Sequence, residues 1–169
     1  MDFKYCDNPN SATPIMFLDK EIGSKNGIDG AEFKRELMAL SDLDGTKKTV
    51  QIWINSPGGV VTEGQDIYNA VLKCKAETYC FGIAASIAGV IFEAGSVRTM
   101  ADYSKLMMHP AYSEDGTQDK ALKAINESVV TMIATQTNKN ESEVWALMNK
   151  GTKDDKGTWM STKDAVKNG

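Results

Sequence analysis

Two side chains in this 169-residue sequence, a serine and the lone histidine, stand in settings that nucleophilic catalysis could use. Ser86 lies in "YCFGIAASIAGV" (79–90), a lone small hydroxyl among glycines, alanines and apolar residues. His109, the only histidine in the chain, closes the run "KLMMH" and is followed by Pro110. A serine becomes a nucleophile when three conditions meet. A base lies within hydrogen-bond reach, backbone N–H groups receive the oxyanion, and a further group orients the base. Upstream, "NSPGG" (55–59) follows a strand-like run and sets two glycines in succession. Such glycines let the main chain approach a ligand closely. Each piece also has a plainer reading. Serine is a favoured helix N-cap, a lone histidine can be structural, and a glycine pair makes a tight turn. "NSPGG" lacks the Lys and Ser/Thr of a phosphate-binding loop.

The elements that must hold these residues follow from periodicity. Residues 14–23 and 49–55 read as strands; in the second, Val50, Ile52 and Ile54 alternate with Gln51 and Trp53. "TYCFGI" is a short buried strand, and "VRTMA" and "SKLMMH" are two more around "DYS". Residues 31–40 and 62–75 carry apolar residues at helical spacing, with Thr62 as the N-cap of the second. "SIAGVIFEAG" is a short helix, so Ser86 falls at a strand-to-helix turn, where unpaired N–H groups and the helix dipole favour negative charge. His109 ends a strand, and sites in open α/β sheets gather at strand ends.

A long amphipathic helix runs from Asp119 to about Thr137, with Leu122, Ile125, Val129, Met132 and Ile133 on one side. Asn140 caps the next helix, "ESEVWALMNK"; "GTKDDKGT" reads as a polar link, and "STKDAVKNG" opens on a capping-box pattern. Strand–helix alternation through residue 109, then a mostly helical remainder, predicts an α/β layered fold with crossover connections.

Whole-chain properties narrow the classes. The length suits one domain, residues 1–169, with a polar, turn-rich segment at 1–13 expected to be loose. The formal net charge of −4, without a basic block, argues against a nucleic-acid partner. No apolar run reaches the roughly 20 residues of a membrane span, and "MDFKYCDNPNSATP" lacks signal-peptide design. Cys6, Cys74 and Cys80 have no zinc spacing and read as reduced thiols, which points to a cytoplasmic protein. No His/Cys/Asp cluster has metal spacing, so no metal or cofactor is expected, and the nine methionines read as core fillers.

Taken together, "INSPGGVVTEGQDIYNAV" (54–71), "GIAASIAGVIFEAG" (82–95) and "LMMHP" (106–110) resemble the proteolytic subunit of the Clp protease (ClpP), in the family's order and at nearly its spacings. The resemblance runs from about Pro14 to the C-terminus. "WINSPGG", "YNAV" and "TWMSTKDAVKNG" look most like the phage-encoded branch, whose members act as prohead or head-maturation proteases. It implies a ClpP/crotonase-type α/β fold of stacked strand–helix units with a protruding handle in residues 111–139. It implies a serine endopeptidase acting on protein or peptide substrates as a homo-oligomeric ring. Ser86 matches the nucleophile, His109 the base, and the N–H groups of Gly59 and Ile87 the oxyanion hole. Val60 and Val61 match main chain that pairs with an extended substrate strand. The N-terminus shows no obvious match to the segment that serves ATPase partners, which leaves such a partner undecided.

One position departs from the pattern. The family's acid stands two residues before an aromatic; here the aromatic is Trp159 and that position is Gly157. Asp155, or else Asp154, is a substitute from the preceding link. Glu114 or Asp115 in the loop after His109 is another, and a backbone carbonyl, side-chain amide or water a third. The departure keeps open a silent assembly protein. A crotonase-like acyl-CoA enzyme shares the fold, but the Ser86–His109 pairing argues against it. The chain ends at "AVKNG", where the family continues into another strand, so truncation is an expectation.

Overall fold

The computed structural model describes residues 2–42, 45, 47–113, 115, 117, 119–151 and 157–169. The elements run β1 (Ile15–Leu18), α1 (Gly30–Ser41), β2 (Gln51–Ser56), α2 (Val61–Cys74), β3 (Glu77–Ala85) and α3 (Ile87–Glu93). They continue with β4 (Arg98–Met100), β5 (Lys105–Met108), α4 (Lys120–Thr137), α5 (Glu141–Met148), β6 (Thr158–Ser161) and α6 (Thr162–Asn168). The fold is mixed α/β, as the sequence implied. One sheet has the order β1-β2-β3-β5-β6, and β4 also pairs with β3. All pairings are parallel except the antiparallel β5–β6 pair.

Alternation decides which sheet face is buried. Ile52, Ile54 and Ser56 of β2 point into the core, which Phe33, Leu37, Ile67 and Ile91 complete from α1, α2 and α3. The other face carries a row of partly buried aromatics: Phe17, Trp53, Tyr79 and Phe81, with adjacent ring centroids 5.7 to 6.3 Å apart. Helix starts follow local chemistry. Asp29, Asp119, Asn140 and Ser161 each accept a backbone N–H at an N-cap, the last two within capping boxes. Thr62 is not a cap: α2 starts at Val61, with Val60 at the N-cap position and no side-chain cap. Glu93 closes α3 with a buried carboxylate that pairs with the partly exposed Arg98 on β4; burial pushes its carboxyl up and Arg98 opposes that shift.

β3 is central, and its irregularity positions the site. Between Ile54↔Cys80 and Ser56↔Ala84 the register shifts, leaving extra residues on β3. The Asn55 side chain repairs the ladder by accepting the Ile83 N–H at 3.1 Å. Gly82 makes room for it, since a Cβ there would lie 2.1 Å from Asn55 Oδ1.

Two further expectations are corrected. Between the polar link (151–158) and the helix start at Ser161 the sequence predicts no strand, yet β6 lies there: Thr158–Ser161 pairs along Met108–Lys105, a strand too short for its alternation to stand out. The N-terminal segment, expected to be loose, is fastened. The Glu36 carboxylate, buried in α1, accepts the Lys4 N–H at 2.8 Å and the Tyr5 N–H at 3.0 Å. Tyr5 and Cys6 are themselves buried. Glu36→Ala removes the acceptor of two N–H groups, and is expected to cost about 1–3 kcal/mol. Urea denaturation checks this, with faster proteolysis before residue 9 as the local signature.

Candidate active site

Ser86 stands between the end of β3 and the start of α3, with φ 57° and ψ −130°. That backbone region is essentially reserved for glycine, and a serine held there stores strain of about 1–3 kcal/mol. The strand beside it enforces the conformation: Ser86 N–H donates to Met107 O on β5 at 2.9 Å. Although Ser86 occupies the N-cap position of α3, its side chain makes no capping bond. Its Oγ lies 2.9 Å from His109 Nε2 instead. The plain capping reading of Ser86 therefore does not hold.

His109 follows directly on β5. Its Nδ1 lies 2.7 Å from the carbonyl oxygen of Pro110. A carbonyl only accepts, so Nδ1 carries the proton and Nε2 is left with a lone pair. That tautomer is able to accept a hydrogen bond from the Ser86 hydroxyl. The Tyr112 ring lies against the imidazole, with centroids 5.5 Å apart and planes tilted by 38°.

The "NSPGG" turn sits over the serine. Ser56 Oγ donates to Lys20 O at 2.7 Å and accepts the Gly58 N–H at 3.1 Å, which ties the turn to the exit of β1. Gly58 and Gly59 have φ of 97° and 145°. A Cβ on Gly58 would lie 2.7 Å from Ser86 Cβ, and one on Gly59 2.0 Å from Ile22 O. Only glycine permits both the conformation and the approach. Among the described residues, the N–H groups of Gly59 and Ile87 have no hydrogen-bond acceptor. Gly59 lines the same cleft as Ser86, and Ile87 follows Ser86 directly as the first residue of α3.

Val60 and Val61 differ from expectation in one respect. The Val60 N–H is already committed to Ile22 O at 2.9 Å, and its C=O accepts the Gly64 N–H at 3.1 Å. Val60 offers its exposed side chain, whereas Val61, first in α2, keeps an N–H without a partner among the described residues. A cleft of about 560 Å³ joins Ser86 and His109 to Val60, Tyr112, Leu122 and Ile125. Val60, Leu122 and Ile125 give part of its lining an apolar character.

The acid is the remaining question. Gly157 is buried against β5, and a Cβ there would lie 2.7 Å from Met107 Sδ. Met107 fills the space a longer side chain at 157 would enter. Asp154, Asp155 and Glu114 lie outside the described residues. Asp115 is engaged elsewhere: its carboxylate accepts the Thr117 N–H at 2.9 Å, which holds its carboxyl below the usual range. Sequence reasoning found Ser86 and His109 but not Pro110 or Tyr112 as members. Pro110 acts through its backbone, which leaves no mark on residue type.

A serine hydroxyl bonded to a histidine, beside unpaired N–H groups at the carboxyl ends of parallel strands, is the site geometry of a serine hydrolase. The chain belongs to the Clp protease family, whose model matches residues 11–169. It is similar to the chloroplastic ATP-dependent Clp protease proteolytic subunit 3 of Arabidopsis thaliana, 33% identical over 99 residues, 56% of this chain and 31% of that protein. It is 29% identical over 168 residues to the ATP-dependent Clp protease proteolytic subunit of Bacteroides fragilis, covering 92% of this chain and 75% of that one. Subunit 2 of Chlamydia pneumoniae is 43% identical over 78 residues, 44% of this chain and 38% of its own length. Family and relatives together mark a ClpP-type serine peptidase.

The strain at Ser86 can be measured. Ser86→Gly is expected to be more stable than Ser86→Ala by about 1 kcal/mol, because only glycine relaxes there. Paired denaturation curves of the two variants, both lacking the hydroxyl, read the difference.

Proposed function

We propose that this chain hydrolyses peptide bonds through an acyl-enzyme. Ser86 Oγ bonds to the scissile carbonyl carbon as its proton passes to His109 Nε2, and the carbonyl electron pair moves onto oxygen. The N–H groups of Gly59 and Ile87 stabilise that oxyanion. On collapse the C–N bond breaks and His109 returns the proton to the departing amine. Water, deprotonated by His109, then releases the acyl group and regenerates the Ser86 hydroxyl. The observation that carries the reading is the 2.9 Å contact between Ser86 Oγ and His109 Nε2, on a base whose other nitrogen is fixed.

The Pro110 carbonyl takes the orienting role in place of an acid. In serine proteases, replacing the acid by an amide costs about 10⁴ in turnover because the wrong tautomer results. A carbonyl keeps the right tautomer and forgoes only the full charge opposite the imidazolium. An extended substrate running past Val60 and Val61 meets the Val61 N–H, unpartnered among the described residues, and the exposed Val60 side chain, since the Val60 main chain is already bonded within the protein. Leu122 and Ile125 favour an apolar side chain in the cleft.

Rings and protein substrates are properties of ClpP-type proteins. A homo-oligomer of this chain is supported by the aromatic row on the open sheet face, because parallel sheets are ordinarily covered on both faces. Head or scaffold-protein processing in a bacterial host cytoplasm is the finer reading; "WINSPGG", "YNAV" and "TWMSTKDAVKNG" support it.

A fluorophosphonate probe is expected to add once per chain, at Ser86, and not to Ser86→Ala or His109→Ala. Intact mass after incubation with the assembled protein reads the adduct. No adduct would favour the silent assembly protein that Gly157 leaves open. Asp154→Asn and Asp155→Asn are expected to keep peptide turnover within about threefold of the parent, since Pro110 already fixes the tautomer. A loss of about 10³ or more in either would make that carboxylate the third member.

A further inference from the structure

Asn126 is a polar residue on the buried side of α4, 7% exposed, four residues after Leu122 and three before Val129. A buried amide in an apolar stripe must have partners. It has two, both on one residue: Asn126 Oδ1 accepts the Ala111 N–H at 2.7 Å, and Asn126 Nδ2 donates to Ala111 O at 3.0 Å. The Ala111 N–H belongs to the same planar peptide group as the Pro110 carbonyl. That carbonyl accepts from His109 Nδ1 at 2.7 Å. The chain of bonds therefore runs from Asn126 through one rigid peptide plane to the imidazole, and through Nε2 to Ser86 Oγ at 2.9 Å.

We infer that Asn126 is the positioning residue of the catalytic histidine, acting through the Pro110–Ala111 peptide group; this rests on the peptidase reading above. Two physical effects carry it. Geometrically, the two-point clasp fixes the rotation of the peptide plane, so its carbonyl faces Nδ1 and no other direction. Electrostatically, an acceptor on the N–H side polarises the peptide and strengthens the carbonyl as acceptor, as in any hydrogen-bonded chain. No proton travels along the relay. Nδ1 keeps its hydrogen throughout, and the peptide dipole supports the positive charge that appears on His109 when Ser86 gives up its proton. The long helix α4 is thereby coupled to the base through one side chain, although α4 itself supplies no group to the reaction.

His109 is the sole histidine, so nitrogen NMR of the ¹⁵N-labelled imidazole reports this residue alone. In the unmodified assembled protein the neutral ring is expected to be the Nδ1–H tautomer; a ring protonated at Nε2 overturns the inference without any variant. Asn126→Ala is expected to lower kcat about 10–100-fold with KM within about threefold, the scale of loss when a catalytic group is slightly misplaced. Its imidazole spectrum should shift toward the other tautomer. Asn126→Asp keeps an acceptor for the Ala111 N–H, so it should recover much of the loss. Its negative charge should move the acid limb of the pH–rate profile to higher pH.

Equal damage in Asn126→Asp and Asn126→Ala, with the tautomer unchanged in both, would make Asn126 only a structural residue and end the proposal. So would Asn126→Ala at parental kcat. If the parent neither turns over peptides nor takes the probe at Ser86, the peptidase reading itself fails. A parent that is active and probe-labelled, with Asn126 variants that leave kcat and tautomer unchanged, overturns the Asn126 role alone.

Discussion

The candidate site depends on one imidazole held at both nitrogens. His109 sits between Ser86 Oγ at 2.9 Å and the Pro110 carbonyl at 2.7 Å, and each contact fixes what the other can be. Because a carbonyl cannot donate, the proton belongs on Nδ1, and the lone pair belongs toward the serine. Much of the nearby fold serves to keep these two points in place. β5 carries His109 and, through Met107 O, locks Ser86 into a backbone conformation that serine alone would avoid. The register shift on β3 brings Ala84 level with Ser56, and Gly58 then lies against Ala85 and Ser86 while Gly59 lies against Ile22. Ser56, itself fully buried, anchors that turn to the end of β1.

A neutral third member changes the balance of the chemistry rather than its kind. A carboxylate does two things for a catalytic histidine: it selects the tautomer and it stabilises the imidazolium. The first needs only an acceptor in the right place, and the Pro110 carbonyl is one. The second depends on charge, and a peptide dipole supplies less of it, so turnover below that of a charged triad is consistent with this arrangement. Gly157 and Met107 belong to the same account. With no side chain at 157, the thioether of Met107 packs into that space, and an acid restored there would first collide with it.

Much of this was legible in the sequence, because the relevant signals were residue types at short spacing. Two glycines after a strand, a serine at a strand-to-helix turn and a histidine before proline each mark a local geometry. The helices were legible from apolar periodicity and caps, as at Asn140 and Ser161. Other features were hidden for physical reasons. β6 has four residues and gains its identity from pairing with β5. Thr62 looked like a cap, but α2 starts at Val61, ahead of it. The N-terminal segment looked loose because the carboxylate that fastens it, Glu36, lies far along the chain. Pro110 contributes a carbonyl that every residue possesses. Asn126 did leave a signal, a polar residue within an apolar stripe, but its partner on the loop after His109 was not readable from spacing.

In this geometry His109 acts with a backbone carbonyl, and not a carboxylate, at Nδ1. A crystal structure of the assembled particle, at a resolution that reveals hydrogen positions, tests it most directly. The expected result is a hydrogen on His109 Nδ1 directed at the Pro110 carbonyl, with no carboxylate oxygen within hydrogen-bond distance of that nitrogen. An aspartate or glutamate oxygen bonded to Nδ1, with the Pro110 carbonyl turned away, would contradict it.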